Sequence, residues 1–210
     1  MKSFEKWLAE EVEITFGVQK RKTLPLLDEW MNAQEVFNAL EMNQIERLRN
    51  RIAEKADEWN EDELKMQFIA LLLDIVDYNS STQYGVFSQR PLLATIQGKK
   101  VNGVIEYMLA QGRQIPRKPF FFFHEYKQET KRNSDPKGQL LISMLAAQTL
   151  NDTTQPLYGC YVVGRFWFFL ILDGNQYAVS DAFTASQSKD IFKIVSILRS
   201  VKIYINNLFK

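Results

Sequence analysis

Hydrophobic positions along the chain first recur at helical spacing and then, from Tyr84, at extended spacing. Before residue 60, Phe4, Trp7, Leu8 and Val12 form a short stripe. Val36, Phe37, Leu40, Ile45, Leu48, Ile52 and Trp59 continue the pattern at mostly helical intervals, with charged residues on the other face. This predicts an antiparallel helical hairpin or arm over residues 1–59. Asn60 then precedes a strong helix whose apolar positions are Leu64, Phe68, Leu71, Leu72, Ile75 and Val76, ending near Tyr78 to Ser81.

Beyond it the pattern predicts strands at Tyr84 to Ile96, Val101 to Ala110 and Pro119 to Lys127, with turns at Gly98-Lys99-Lys100 and at Gly112 to Lys118. Three strands with short connections suggest a meander. Asp135 followed by Pro136 reads as a cap and a first-turn proline, opening a helix through about Asn151. Strands follow near Tyr158 to Val163, Arg165 to Leu172 and Gln176 to Ser180, and a helix from about Ser188 to Leu208 closes the chain. The order predicts an α/β fold: one central mixed sheet flanked by helices, with an N-terminal helical arm (1–59), a main domain (60–210) and a C-terminal helix.

Composition narrows the chemistry. The 210 residues are 46% hydrophobic and 24% charged, which excludes intrinsic disorder. The longest purely apolar stretch, Phe166 to Leu172, is closed by Arg165 and Asp173 and is far short of the roughly 20 residues a spanning helix needs. Lys2, Glu5 and Lys6 stand where a secretion signal carries its apolar block, so a cytoplasmic location is expected. One cysteine, Cys160, and one histidine, His124, exclude internal disulfides and cysteine-built or multi-histidine metal sites. Chemistry here must run on carboxylates, lysines and bound ions. The net charge of +1 hides a split: residues 1–77 carry 10 basic and 17 acidic side chains, the remainder 16 and 8. A basic module of this kind can neutralise phosphates, although such a split also arises from surface composition alone.

The segment Phe120-Phe121-Phe122-Phe123-His124-Glu125-Tyr126-Lys127 is the most informative. An aromatic run this dense must be a buried strand, yet it ends in a carboxylate and an ammonium. Residues two apart share a face, so Glu125 and Lys127 emerge together with Phe121 and Phe123 beneath them, while His124 and Tyr126 face the other way. Glu106, in Val104-Ile105-Glu106-Tyr107-Met108, is a second carboxylate inside an apolar strand, and antiparallel pairing can set it beside Glu125. Two adjacent carboxylates repel unless a cation lies between them, and hard oxygen ligands suit Mg²⁺ or Mn²⁺. Glu-x-Lys also occurs at Glu63 to Lys65 and Glu129 to Lys131, so only strand context distinguishes the middle copy.

A helix with Glu63, a three-strand meander with Glu106 on its second strand, Glu125-x-Lys127 on its third, and a helix that opens with Gln139 together resemble the PD-(D/E)XK nuclease superfamily, the restriction-endonuclease-like fold. The resemblance covers about residues 60–182. It implies catalytic roles for Glu63, Glu106, Glu125, Lys127 and Gln139, and metal binding by Glu106, Glu125 and Glu63. It also implies Mg²⁺ or Mn²⁺ as cofactor and a nucleic acid, DNA rather than RNA, as substrate. Glu106 stands where the family usually has Asp, with no preceding Pro. The helix end after Pro136, with Lys137, could contact backbone phosphates.

Plainer readings stand beside these. Asn60 with Glu63 three residues on is a capping-box pattern. Glu106 can pair with a lysine on a neighbouring strand, Glu125 and Lys127 can be an edge ion pair, Gln139 can be a solvated first-turn residue, and Cys160 fits a small core position. A rival function is a nuclease-fold protein without catalysis that binds nucleic acid or, through the N-terminal helices, a protein partner or a second copy. A third is a phosphoesterase acting on small diesters.

Overall fold

A computed structural model describes residues 1–78, 84–129, 135–151 and 155–207. The helix ends expected at Tyr78 to Ser81 and at Leu208, and Lys131 of the third Glu-x-Lys, run into positions outside the described residues. The first 59 residues form β1 (Lys2–Ser3), a 3₁₀ turn (Phe4–Lys6), α1 (Ala9–Phe16), β2 (Gln19–Lys20), α2 (Pro25–Met31) and α3 (Ala39–Lys55). Helical spacing marks α1 and α3 but not α2, whose Leu27 and Trp30 lie outside the stripe, nor the two short strands, which are too brief to carry a period. Next come α4 (Glu61–Leu64), a π turn (Lys65–Ile69) and α5 (Ala70–Val76), one continuous helical run with a wide turn inside it.

The meander is β3 (Gly85–Ile96), β4 (Lys99–Gln111) and β5 (Arg117–Lys127). Gln97 and Gly98 both have positive φ, the geometry of a two-residue hairpin turn that follows the strand twist. α6 (Pro136–Asn151) carries the chain to β6 (Leu157–Val163), which runs parallel to β5. β7 (Phe166–Asp173), β8 (Gln176–Val179), β9 (Phe183–Thr184) and α7 (Ser188–Asn207) complete the chain. Among the described residues nine strands make one mixed sheet in the order β1-β4-β5-β6-β7-β8-β2, with β3 on the other edge of β4 and β9 beside β7. The architecture is therefore a mixed α/β sheet flanked by helices.

Each face of the sheet has its own core. On one face α2, α3, the α4–α5 run and α7 bury Trp30, Ile45, Ile52, Phe68, Val76 and Ile194 against Phe122, Tyr126 and Phe169. On the other, α1 and α6 bury Val12, Leu140 and Met144 against Phe123, Ile105 and Leu170. The first 59 residues thus contribute to both cores. Trp30 stands edge-on to Phe122, Tyr158 and Phe169 with ring centroids 5.0 to 5.9 Å away, and its indole N–H donates to the Ile197 carbonyl at 2.9 Å. The apolar stripe of α3 is likewise spent inside the molecule at Ile45, Leu48 and Ile52, leaving Leu40 outside and, just before the helix, Val36.

One detail of β5 differs from simple alternation. Leu109 pairs with Phe122 and Ala110 with Phe120, so Phe121 is an extra residue in the ladder. The bulge turns Phe121 into the same core as Phe122. Of the two phenylalanines expected beneath Glu125 and Lys127, only Phe123 is on their side of the strand.

Because Trp30 anchors the N-terminal helices to the middle of the sheet, Trp30→Ala is expected to cost about 3–5 kcal/mol, read as a lowered urea midpoint for the whole chain. A midpoint within error of wild type would contradict this packing.

Candidate active site

β4 changes partners along one edge. From Tyr107 to Gln111 it pairs with β5, and at Val101 and Asn102 it pairs with β1. Between these ladders, Gly103 to Glu106 border an opening. The register that sets Tyr107 opposite His124, carried one step further, brings Glu106 beside Glu125. A glycine is required at 103, since a Cβ there would lie 2.4 Å from the Phe4 ring, which packs across the strand as the near wall of the opening. The result is a cleft of about 820 Å³ whose lining includes Phe4, Gly103, Glu61, Glu106, Lys127 and Gln139.

The charges in this region alternate. Lys127 Nζ is 2.6 Å from Glu125 Oε1 and 3.6 Å from Glu61 Oε2. Lys65 Nζ is 2.9 Å from Glu61 Oε1 and 2.7 Å from Glu106 Oε2, and the Gln89 side-chain amide also donates to Glu106. Glu125 and Lys127 are buried, at 3% and 7% exposure. Burial pushes the Glu125 carboxyl up to about 8; the Lys127 ammonium opposes that shift, and the charges of Glu106 and Glu61 add to it. For Lys127, burial works against the charged form, but the carboxylates of Glu125, Glu61 and Glu106 outweigh it and hold the ammonium above its ordinary value. Lys65 is held up in the same way, by Glu106 and Glu61 against burial. Shifts of this kind mark both functional sites and structural ion-pair networks.

Of the residues singled out in the sequence, Glu106, Lys127 and Gln139 line the cleft, while Glu125 is buried behind it and reaches it only through its pair with Lys127; Gln139 is buried rather than a solvated first-turn residue. Glu63 does not join them. It is exposed, its carboxylate accepts from the Asn60 backbone N–H at 2.9 Å, and its own N–H donates to Asn60 Oδ1, a complete capping box. The acid that reaches the cluster from this helix is Glu61, accompanied by Lys65. Their spacing of four residues was the available signal, because it sets two opposite charges on one helical face. Lys137 is not among the residues that line the cleft. The end of α6 is already engaged: Asp135 accepts from the Gly138 N–H at 2.9 Å and from the Ala9 N–H at 2.7 Å, so it caps the helix where a phosphate would bind. The partner of Glu106 is a lysine from a helix rather than from a strand, and the Glu125–Lys127 pair is buried rather than at an edge.

Glu61 and Glu106 also border a second cleft, of about 840 Å³, together with Lys65, Asp62, Asp74 and Tyr126. Among the described residues no three His, Cys, Asp or Glu side chains close into a metal cage, and no helix is long and apolar enough to cross a membrane. His124 lies outside both clefts. It is buried among Tyr107, Phe122 and Tyr126, and its Nδ1 is 3.0 Å from the Cys160 sulfur. Burial lowers its pKa to about 3.

Comparison with known proteins adds little. No protein family and no curated protein matches the sequence. The solved structure titled as a cryoEM structure of a DrdV–DNA complex aligns with 76% of this chain at 13% identity and a TM-score of 0.44, and the alignment spans 14% of that chain's length. A likeness of this size leaves the chemistry of the cleft to rest on its own residues.

Two outcomes follow. Asn60→Ala is expected to lower stability by about 1 kcal/mol through loss of the cap it forms with Glu63, read from the urea midpoint; an unchanged midpoint would contradict the capping role. Between pH 6.5 and 3 the unfolded chain binds a proton at His124 that the folded chain refuses, so stability from this group is lost as pH falls, by about 2 kcal/mol at pH 5. Glu125, raised in the fold, works in the opposite sense over this range and does so in wild type and His124→Phe alike. The stability lost from pH 7 to 5 should therefore be greater in wild type than in His124→Phe by about that amount; equal changes would show that the ring titrates normally.

Proposed function

We propose that this cleft hydrolyses phosphodiester bonds in nucleic acid, DNA rather than RNA, with the help of Mg²⁺ or Mn²⁺, on a restriction-endonuclease-like fold. The observation that carries the reading is the convergence of Glu106 from β4 with Glu125 and Lys127 from β5 where the two strands part, joined by Glu61 and Gln139 around one opening. The order of elements supports it as well: a helix with an acid, a three-strand meander, a helix, and then β6 parallel to β5.

The carboxylate oxygens of Glu106 and Glu125, with Glu61 beside them, are the groups that would hold the ion, although they do not close into a cage and are paired with the ammonium groups of Lys65 and Lys127. When bound, Mg²⁺ or Mn²⁺ would supply Lewis acidity toward the phosphate and lower the pKa of the attacking water. Lys127, fixed by Glu125 and Glu61, presents an ammonium at the cleft wall that can orient the water and offset negative charge as the fifth oxygen approaches phosphorus. Gln139 can hold a phosphate oxygen or that water through its amide.

A second reading keeps the fold without the chemistry. The pairing of Lys65 with Glu61 and Glu106, and of Lys127 with Glu125, favours it, since each carboxylate already has a counter-charge. The cleft would then serve as a nucleic-acid-binding or protein-interaction surface.

Purified protein with Mg²⁺ or Mn²⁺, assayed on plasmid and single-stranded DNA, separates the two. Lys127→Ala and Glu125→Gln should each lower cleavage by about 10²–10³-fold. No cleavage by wild type, or equal cleavage by both variants and wild type, would overturn the hydrolase reading.

A further inference from the structure

The second cleft carries features that the charge pairs around Lys65 leave unexplained. Its walls come from the α4–α5 helical run and from β3, β4 and β5, and its volume of about 840 Å³ is that of a site for a small organic molecule. Tyr126 borders it, 3% exposed, and the Tyr126 hydroxyl has no hydrogen-bond partner among the described residues. A buried hydroxyl without a partner is costly. Burial pushes its pKa well above the ordinary tyrosine value, so it keeps a proton to donate. Gln89, which lines the same cleft, holds a φ of 52° in the middle of β3. A left-handed backbone at a residue with a side chain is strain of the kind that collects at binding sites. The π turn contributes Met66, an exposed apolar side chain, and the buried Ile69 to the facing helical wall.

We propose that this second cleft binds a nucleobase, as a free nucleoside or as one base of a single strand. Ile69, Leu73 and Val86 offer apolar surface to a flat ring. The edge of the ring fits as well: a ring nitrogen or carbonyl oxygen would accept from the Tyr126 hydroxyl, and an exocyclic amine would donate to Asp74 or Ser88 on the lining. An anionic ligand is disfavoured, because Glu61, Asp62, Asp74 and Glu106 outnumber Lys65. An alkylammonium offers the Tyr126 hydroxyl no acceptor. The two clefts share Glu61 and Glu106, so a strand whose backbone follows the first can set a base in the second. The strand form rests on the nucleic-acid reading above; the free-nucleoside form does not.

The test uses the full chain, Tyr126→Phe and Ala70→Trp. Calorimetric titration with adenosine, guanosine, cytidine and thymidine reads free nucleosides, and the fluorescence of single-stranded oligonucleotides carrying one 2-aminopurine reads a base that leaves its stack. At least one of the two signals is expected in wild type; the first assigns a free ligand, the second a base on a strand. Ala70 is exposed at the start of α5 and lines the cleft, so Ala70→Trp should fill it and abolish the signal. Tyr126→Phe should weaken binding about tenfold, the worth of one hydrogen bond. Without ligand, Tyr126→Phe should unfold at a urea midpoint no lower than wild type, since the lost hydroxyl had no partner. A lowered midpoint, or a signal that either variant retains undiminished, overturns the proposal. Strand binding with neither signal overturns the base site and leaves the nucleic-acid reading standing. No binding of nucleoside or strand overturns both.

Discussion

The Glu125–Lys127 ion pair is the constraint around which the molecule is arranged. Removing a carboxylate and an ammonium from water costs several kcal/mol each, and only close opposite charge repays it. Here the cost is offset in part by a chain of alternating charge, Glu125 to Lys127 to Glu61 to Lys65 to Glu106, drawn from two strands and one helix, and the part left over shows in the raised Glu125 carboxyl. The aromatic sheet beneath makes the pair dry, and the helix that carries Glu61 and Lys65 must lie where it does to complete the neutralisation. Packing and electrostatics thus demand the same placement.

The helix meets that demand through its wide turn. Leu64 and Phe68 face the core while Glu61 and Lys65 face the clefts, and the π turn over Lys65–Ile69 links this short charged start to the apolar face of α5. Such turns often occur beside functional positions. Across the cleft, the 3₁₀ turn with Phe4 does the complementary work, using the absence of a side chain at Gly103 to approach β4.

Much of this was legible in the residues. Strand period and turn chemistry located the meander, because Gly98 and the segment around Pro116 interrupt long apolar runs, and Asp135-Pro136 marked the start of α6. Glu106, Glu125 and Lys127 stood out since a charge inside an apolar strand is costly wherever it falls. The acid on the helix was harder: Glu63 fits both a capping box and the family pattern, and only three-dimensional contacts reveal that its carboxylate is spent on Asn60 while Glu61 turns inward. The bulge at Phe121 left no trace in the pattern, since five of the eight residues from Phe120 to Lys127 are aromatic and none signals an interrupted ladder. Strands as short as β1 and β2 carry too few residues for any alternation to be seen.

Met1 and Ser3 share the cleft wall with Glu106 and Lys127. The segment Met1–Lys6 is therefore part of the cleft's architecture. An affinity handle joined to Met1 would emerge at the rim, so tagged and untagged preparations would present different openings.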